Sequence, residues 1–595
     1  MCDTIFVSPA EQYSHRLSER EARLARFDRA HVRIGSIRLI IGAAFLLVSW
    51  LCLRRALPAW TLLAPVLAFI GVLVHHQRVR ALRTQAQRAA EFYRAGLDRI
   101  HDRWSGKGAT GERFDVHHHI YGDDLDLFGS GSLFQLLCAA RTQIGEDILG
   151  RWLLAPAPIA AIAERHASLA ELRDRLDLRE SMAIEGESLR IELHSETLKK
   201  WAQAPNRLGR LWIRAIALLI AALAVAACAV WAIWDLAFPL LAVIMVDIAA
   251  LYFLREPIHQ ATTAVENAYD DLKVMSRLLR MIETQVFEAA PLRALQHKLS
   301  PHTERASTAI STLATIVNFV EARRNPLIAP LILLLVYPLQ TALAAERWRT
   351  AHGALIPEWL EVLGEMEALI SLARFAYEHA EYPFPQLIDT APAFKAQGLG
   401  HPLIPAAVRV CNDVDISGRA RVLLVSGSNM SGKSTLLRTV GVNTVLAMAG
   451  APVCAVSLQL TPLQIGASIR INDSLHEGSS RFYAEITRLR RLFEPMELPL
   501  LFLLDELLQG TNSADRRIGA EGLIRALLAR GAIGLISTHD LALTQIAGLD
   551  TGALQNVHFQ DELTDGKLQF DFKLRPGIVT KNNGLELMRS IGLDV

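Results

Sequence analysis

A short glycine-rich segment carries the residue types that bind phosphate. Residues 427–434 follow the spacing G-x-x-x-x-G-K-S, in which glycines let the backbone approach phosphate oxygens. Lys433 can neutralise β- and γ-oxygens, and the Ser434 hydroxyl can coordinate Mg²⁺. Residues 421–425 predict a buried strand before the loop, and residues 434–440 predict a helix whose first amides face an anion. The residues predicted to line this ATP or GTP site are Gly427, Ser428, Asn429, Met430, Ser431, Gly432, Lys433, Ser434 and Thr435. A glycine-rich turn without a ligand is the alternative.

Acidic residues and a histidine end two later apolar segments. Residues 500–504 predict a buried strand that leads into Asp505 and Glu506. Asp505 can hold Mg²⁺ through water, and Glu506 can orient or deprotonate the water that attacks the γ-phosphate. Residues 533–538 predict another strand, which ends at His539, where the imidazole can sense the γ-phosphate. Paired acids and a terminal histidine also occur in inactive folds, so the phosphate loop is what favours the catalytic interpretation.

The elements that must position these residues fall into two classes. From about residue 401, short apolar strands alternate with helices, which is typical of a doubly wound α/β sheet. Residues 266–290 and 357–380 carry apolar residues at three- and four-residue spacing and predict long lever or bundle helices. We therefore predict an α/β phosphate-loop domain over residues 401–595, preceded by an all-α domain over residues 120–400.

Four apolar segments predict two transmembrane hairpins. The first hairpin covers residues 37–53 and 56–74, and the second covers residues 215–234 and 236–254. Each segment is close to the roughly 17–25 residues that cross a bilayer core. Arginines flank both hairpins, and positively charged flanks stay in the cytoplasm. This predicts a multi-pass protein of the inner (cytoplasmic) membrane, with its N-terminal region, residues 1–119, and its nucleotide site in the cytoplasm.

Two further features bear on the membrane prediction. Asp247 lies within the second hairpin, where contact with a partner helix is the favoured interpretation and an intramembrane functional site is the alternative. Residues 327–345 are also apolar, but Pro330 and Pro338 interrupt them. A fifth crossing would put either the N-terminus or the nucleotide site outside the cell. We therefore predict a buried core helix there.

Composition limits the classes of partner and of site. A chain of 595 residues is expected to form several domains. Its 62 basic and 61 acidic residues leave a net charge of +1, so no bulk charge drives it toward nucleic acid. The six cysteines are scattered without a C-x-x-C pair. This predicts structural thiols in a reducing cytoplasm, with neither a metal site nor a disulfide framework.

Several motifs resemble those of the MutS family, a branch of the ABC-type ATPases. Residues 427–435 resemble the family's G-P-N-M-G-G-K-S-T, and residues 505–513 resemble its D-E-x-x-x-G-T-S. Residues 537–539 and 555–558 are similar to its A-T-H and A-N-V-H motifs. The resemblance implies ATP as the nucleotide, Mg²⁺ as the metal, and a homodimer formed through the ATPase domains.

The resemblance also implies roles for two further residues. Residues 477–485 look like the family's G-x-S-T-F-x-x-E motif, whose serine, here Ser480, would reach the γ-phosphate held by the opposite subunit. In the family an aromatic residue often stacks on adenine just before the position of Asn412, where this chain has Arg409 or Val410. The active site is thus expected to be composite, with Asn412 beside the base.

Upstream segments extend the resemblance to roughly residues 120–200 and 260–595. Residues 125–137 look like the beginning of the MutS core domain, and residues 365–373 look like its closing helix. The family's mismatch-reading domain, with its F-x-E wedge, would precede the core. Residues 1–119 hold basic helices and a membrane hairpin in its place, without an F-x-E.

The sequence is compatible with three functions. The leading hypothesis is a membrane-anchored homodimeric ATPase, in which ATP closes two ATPase domains and helical levers transmit the closure to the membrane lipid. The second is mismatch repair in the family's usual sense, with double-stranded DNA as the partner. The third is an ABC-type transporter, against which stand the few predicted spans and the MutS-like core.

Overall fold

The computed structural model divides the chain into two compact units. Unit 1 comprises residues 1–104 and 177–187, and unit 2 comprises residues 105–176 and 188–595. The residues that the structure describes are 8–116, 119–187, 195–206, 208, 211–266, 268–300, 304–322, 336–428, 430–470, 481–509, 511–539, 543, 552–564 and 567–579.

Helices dominate the chain before residue 380, and strands appear only after it in the described ranges. Helices α1 to α18 are, in order, Pro9–Leu53, Leu63–Ile100, Leu133–Leu137, Gln143–Leu154, Ile159–Asp174, Leu176–Gly186, Ser195–Gln203, Leu211–Trp234, Phe238–Phe253, Arg255–Thr262, Tyr269–Thr284, Ala290–His297, Ala306–Ala322, Tyr337–His352, Ile356–Glu378, Lys433–Ala449, Arg481–Arg491 and Ser513–Ala529. Strands β1 to β10 are Gln386–Leu387, Phe394–Leu399, Asn412–Ile416, Val422–Ser426, Ser457–Leu460, Gln464–Ser468, Leu500–Asp505, Ile533–Thr538, Leu554–Thr564 and Lys567–Pro576.

Unit 1 is built on the long paired helices α1 and α2, with α6 beside them. Helix α1 opens with a capping box between Ser8 and Glu11, which satisfies its free N-terminal amides. The buried Glu180 of α6 accepts hydrogen bonds from Arg20 Nε at 2.7 Å and from the Tyr93 hydroxyl at 2.5 Å. Both long helices continue well beyond the predicted apolar segments, because arginine is a good helix former.

Length and composition mark several helices as able to cross a membrane. Within the described residues these are the helices over Pro9–Leu53, Ala59–Ile100 and Trp212–Trp234. Helix α9 and the following Arg255–Val265 would supply a fourth if they form one span, although they meet at a bend of 64°. The Asp247 side chain on α9 is fully buried, so it faces other protein atoms.

The helical part of unit 2 is organised around α15. Its Glu367 accepts hydrogen bonds from the amides of Arg141 and Thr142, both at 3.2 Å, at the N-terminus of α4. Burial raises the pKa of Glu367 to about 7, and the hydrogen bonds from Thr142 and Arg141 oppose the shift. Two turns further on, Arg374 donates to the carbonyls of Leu136 and Leu137 at the end of α3. A single helix therefore satisfies two other helix ends.

The apolar residues 327–345 are only partly described. Residues 336–345 enter helix α14, where Leu339, Ala342 and Ala345 are buried. Residues 327–335 lie outside the described ranges, so the predicted core helix remains a prediction for that half.

Two sheets lie in the C-terminal part of unit 2, together with α16, α17 and α18. The larger has the strand order β10-β9-β4-β8-β7-β6, and its strands are parallel except for β10, which pairs antiparallel with β9. Every residue of β4 and of β8 is buried, as expected for central parallel strands. The smaller sheet has the order β1-β5-β2-β3 and begins at Gln386, ahead of the predicted boundary at residue 401.

Candidate functional site

The glycine-rich loop lies between β4 and α16, at the carboxyl ends of the parallel strands. The strand covers Val422–Ser426, one residue later than predicted. Gly427 has φ 151° and Gly432 has φ 103°. A Cβ on Gly427 would meet Ser431 Oγ at 2.8 Å, and one on Gly432 would lie 3.2 Å from the Phe572 ring. Both glycines are therefore required by backbone conformation and by close packing.

Lys433 is the first residue of α16 and only 5% exposed. Its Nζ donates hydrogen bonds to the carbonyls of Gly427 at 2.9 Å and Ser428 at 2.8 Å. Burial lowers the pKa of Lys433, and the charges of Glu506 and Asp505 oppose that shift. The ammonium group is thus held inside the loop and faces the acids that end β7.

The loop suits an oxygen-rich anion in three ways. Among the described residues no side chain caps the N-terminus of α16, where the first amides carry the positive end of the helix dipole. The hydroxyls of Ser428 and Ser431 are buried without a hydrogen-bond partner among the described residues, although such groups are normally satisfied. The half-buried Ser434 and the exposed Thr435 follow on the first turn of the helix. Phosphate oxygens would supply the acceptors that these donors lack.

The acids and the histidine of the two neighbouring strands come together beside this loop. In the β7–β8 register Asp505 pairs with Ser537, and the Ser537 hydroxyl donates to the Asp505 carboxylate. The Glu506 amide donates to the Ser537 carbonyl at 3.2 Å and to its hydroxyl at 3.1 Å. The fully buried Ser537 therefore positions both acids, a role that the sequence interpretation missed.

Glu506 has φ 50°, an uncommon conformation for a residue other than glycine and one that clusters at functional sites. Its carboxylate accepts a hydrogen bond from Gln509 Nε2, and His539 Nδ1 lies 3.5 Å from it. The His539 side chain is half exposed. This leaves a carboxylate and an imidazole at the surface, next to the phosphate loop.

Helix α17 fixes the segment that follows Glu506. The buried Glu485 accepts a hydrogen bond from the Leu508 amide at 2.6 Å, and Leu508 has φ 57°. From the other side, Arg516 donates to the carbonyls of Leu508 and Gln509, both at 3.2 Å. Both contacts hold residues 506–509 in place, so the direction of the Glu506 side chain is determined from several elements.

A cavity of about 210 Å³ adjoins the phosphate loop. Its lining residues are Leu399, Ile404, Val408, Val410, Asn412, Gly432, Thr435, Leu436, Thr439, Phe559 and Phe572. Asn412, which the resemblance puts beside the base, is one of these lining residues. Its Nδ2 donates to the Phe572 carbonyl at 3.0 Å, and its Oδ1 accepts from the Leu574 amide at 2.8 Å. Of the two residues predicted before it, Val410 lines the cavity.

Phe572 is the cavity residue that sequence reasoning did not find. It has φ 54° at an irregularity in the β9–β10 pairing, between Phe570 and Leu574. Phe572 is 41% exposed, and its ring packs against Gly432. A large side chain in a left-handed conformation is strained, and the signal in the sequence, two phenylalanines spaced by one residue, is indistinguishable from an ordinary strand. The ring offers a flat apolar surface next to the phosphate loop.

Two predicted site residues lie outside the described ranges. These are Asn429 in the phosphate loop and Ser480 in residues 471–480. The remaining predicted residues of the loop, the two acids, His539 and Asn412 are all described and lie on the same edge of unit 2. Within the described ranges, no three His, Cys, Asp or Glu side chains gather as a metal site. Ser434 and Asp505 remain the Mg²⁺ ligands predicted from the sequence.

Residues 120–126 attach the helical part of unit 2 to the strand that precedes residues 471–480. The fully buried Asp124 accepts hydrogen bonds from the amides of Ile469 at 2.8 Å and Arg470 at 2.7 Å. Arg488 of α17 donates to its other oxygen. Asp126 lies 2.7 Å from Arg470 and 3.4 Å from Arg438, which belongs to α16. Two carboxylates thus connect three elements of the candidate site.

Part of this chain is similar to known proteins of one family. Residues 423–594 match MutS domain V. The chain is 32% identical over 248 residues to "Endonuclease MutS2" of Thermus thermophilus, covering 41% of this chain and 32% of that protein. It is 31% identical over 258 residues to "DNA mismatch repair protein MutS 2" of Halobacterium salinarum, covering 43% of this chain and 28% of the relative.

A third relative, "DNA mismatch repair protein MutS" of Brevibacillus brevis, is 32% identical over 241 residues, or 39% of this chain and 28% of that protein. The chain therefore spans about a third of the length of the curated relatives it matches. These matches show that the C-terminal part of the chain, which contains the phosphate loop and the parallel sheet, is similar to MutS domain V, and that helices precede this part.

Proposed function

We propose that the chain is a membrane-anchored ATPase of the MutS type, which binds and hydrolyses ATP at a site shared by two copies. The observation that carries this proposal is the buried Lys433 at the start of α16, facing Asp505 and Glu506 at the end of β7. A cation within a phosphate loop and two acids across from it are the parts that phosphoryl transfer requires.

Each group has a distinct task in this proposal. The loop amides and Lys433 bind the phosphates, and Ser434 and Asp505 hold Mg²⁺, which supplies charge neutralisation for the phosphate oxygens when bound. Glu506 orients the attacking water and accepts its proton, which is why its carboxylate must be held next to the loop. His539 donates to the γ-phosphate from the neighbouring strand.

The shared site is supported by exposed apolar residues at the loop and near residues 471–480. Met430 is 86% exposed within the phosphate loop, and Tyr483 is 65% exposed on α17. Exposed apolar side chains beside a charged site are typical of a surface that another protein covers. In the proposed homodimer, the partner would bring its Ser480 to the γ-phosphate.

Membrane anchoring rests on the apolar helices of both units. The part of α1 that follows residue 38 exposes large apolar side chains, such as Leu39, Leu46 and Trp50, and α8 does the same with Leu219 and Trp231. Exposure of apolar helix surfaces of this length to water is unfavourable in free energy, whereas the hydrocarbon core of a bilayer shields them from water. Closure of the two ATPase domains would then act on membrane-embedded helices.

A second candidate is DNA binding in mismatch repair. It is favoured by the names of the relatives, two of which are DNA mismatch repair proteins. The near-neutral charge of the chain argues against DNA binding, because duplex binding depends strongly on contacts between basic residues and phosphates.

One experiment separates the two candidates. The chain is expressed in bacteria, membranes are separated from the soluble lysate, and phosphate release is measured on detergent-solubilised protein with and without matched or mismatched duplex DNA. We expect the protein in the membrane fraction and an ATPase rate that duplex DNA does not change. Recovery in the soluble lysate would reject the anchor, and stimulation by mismatched duplex would favour repair.

We expect Phe572→Ala to weaken ATP binding by about ten-fold, because stacking of a base on an aromatic ring contributes roughly 1–3 kcal/mol. Phe572→Trp keeps a flat ring and should restore most of the affinity. Isothermal titration with ATP and with inorganic triphosphate makes the test specific, since triphosphate has no base. Equal loss of affinity for both ligands would show that Phe572 supports the loop instead of a base.

A further inference from the structure

Two of the scattered cysteines become neighbours in the fold. The sulfurs of Cys411 and Cys454 lie 3.0 and 3.2 Å from the position that a Cβ on Gly400 would take. Glycine is therefore the residue that leaves room for both sulfurs there. Forty-odd residues separate the cysteines along the chain, so no local spacing predicts the pair.

The two thiols differ in their exposure to solvent. Cys454 is 3% exposed, and its backbone is fixed by hydrogen bonds from the Gly400 amide to its carbonyl at 2.8 Å and from its own amide to Asn443 Oδ1 at 2.7 Å. Cys411 is half-buried and directly precedes β3, and its carbonyl accepts a hydrogen bond from Lys573 Nζ at 3.0 Å. Cys411 is thus the sulfur that a small reagent from solvent can reach.

A cation stands beside the buried thiol. Arg409 donates to Cys454 Sγ at 3.2 Å and to the Tyr382 hydroxyl at 2.5 Å. Burial raises the pKa of the Cys454 thiol, and the hydrogen bond with Tyr382 and the charge of Arg409 oppose the shift. A guanidinium next to sulfur favours the thiolate, which is the form that attacks another sulfur.

We propose that Cys411 and Cys454 form a reversible disulfide that regulates nucleotide binding. The oxidant is a hydroperoxide. The Cys411 sulfur attacks the O–O bond of hydrogen peroxide, which breaks to leave a sulfenic acid on Cys411 and one molecule of water. The Cys454 sulfur then attacks the sulfenic sulfur, the S–S bond forms, and the S–O bond breaks as a second water leaves with the thiol proton. Two thiols and one peroxide thus give one disulfide and two waters.

The bond would change the adjoining cavity. An S–S distance of about 2.05 Å requires the two sulfurs to leave the non-bonded separation that they have here. Because two hydrogen bonds hold the Cys454 backbone, we expect the shift to fall on Cys411 and on its neighbours Val410 and Asn412. Asn412 holds the backbone of Phe572 and Leu574, so oxidation displaces one wall of the cavity. This consequence for ATP rests on the proposed function, whereas formation of the disulfide does not.

The test begins with the bond itself. Full-length protein is treated with hydrogen peroxide, remaining thiols are alkylated, and a protease digest is analysed by mass spectrometry. We expect a linked peptide pair containing Cys411 and Cys454, lost on treatment with dithiothreitol and missing from Cys411→Ser. Cys138→Ser, in which a different thiol is removed, should keep the link. Oxidation of other cysteines without this linked pair would overturn the proposal, whether or not the protein binds ATP.

The effect on ATP is measured separately by titration of reduced and oxidised protein. We expect oxidation to weaken ATP binding by about five-fold, on the scale of one lost aromatic contact, with full recovery in dithiothreitol. Oxidised Cys411→Ser should bind ATP as the reduced protein does. A linked pair with unchanged ATP affinity would refute the regulatory part, and failure of reduced protein to bind ATP would refute the proposed function instead.

Discussion

Replacing Lys433 with alanine is expected to abolish ATP hydrolysis and to weaken ATP binding by at least about a hundred-fold. Its Nζ is buried at the start of α16 and already donates two hydrogen bonds within the phosphate loop. A hydrogen bond from a charged group contributes roughly 1.5–3 kcal/mol, and the ammonium group has three donors. A hundred-fold loss corresponds to about 2.7 kcal/mol, which two such bonds account for. Titration with ATP and phosphate release measure the two effects.

A second lysine provides the matched control. Lys395 on β2 is exposed and lies 3.3 Å from Asp415, away from the phosphate loop. Lys395→Ala removes the same charge and should leave hydrolysis and ATP binding unchanged. Near-normal hydrolysis by Lys433→Ala, with an unchanged melting temperature, would contradict the assignment of the loop.

Replacing Glu506 with glutamine should slow hydrolysis by about 100- to 1,000-fold, within the range of general base catalysis, while ATP binding stays within about two-fold. Glutamine keeps the shape of the side chain and cannot accept a proton. The backbone at Glu506 is held by Ser537, so the substitution should not disturb the loop. Because ATP would remain bound, light scattering in its presence should show a persistent dimer.

The control for this variant is Glu521→Gln. Glu521 belongs to α18 and contacts Arg525 at 2.8 Å, outside the group of residues around the loop. The Glu521→Gln variant should hydrolyse ATP at the normal rate, and its dimer should dissociate after turnover. Unchanged hydrolysis in Glu506→Gln would reject Glu506 as the base, and a monomer in excess ATP would count against the shared site.

The local part of the site could be predicted from sequence. The strand, loop and helix around Lys433 are consecutive in the chain, so residue spacing alone determines which groups meet. The same holds for Asp505 and Glu506 at the end of an apolar strand. What the structure adds is the approach of separate strands, since the β7–β8 register brings Ser537 to both acids. Register between strands is a tertiary property and leaves no mark in the spacing of either segment.

Residues that are far from the loop in the chain could not be predicted either, because only tertiary structure brings them to the site. Phe572 comes to Gly432 only because β10 folds back on β9 and is irregular after Phe570. The cysteine pair likewise depends on the packing of Gly400 against Cys454. The predicted membrane segment of residues 37–53 covers only the C-terminal part of α1, because the helix also runs through the preceding arginines, which favour helix.

Asp124 links the end of β6 rigidly to the helical part of unit 2. Its carboxylate accepts hydrogen bonds from two consecutive amides at the end of β6 and from one arginine of α17. If the end of β6 moves, residues 120–126 must therefore move with it, or these hydrogen bonds must break. The same stiffness operates in reverse, because coupling between two positions in a protein is reciprocal. If the site binds nucleotide as proposed, a displacement of the helices changes nucleotide affinity by the same coupling free energy with which a bound nucleotide shifts the helices.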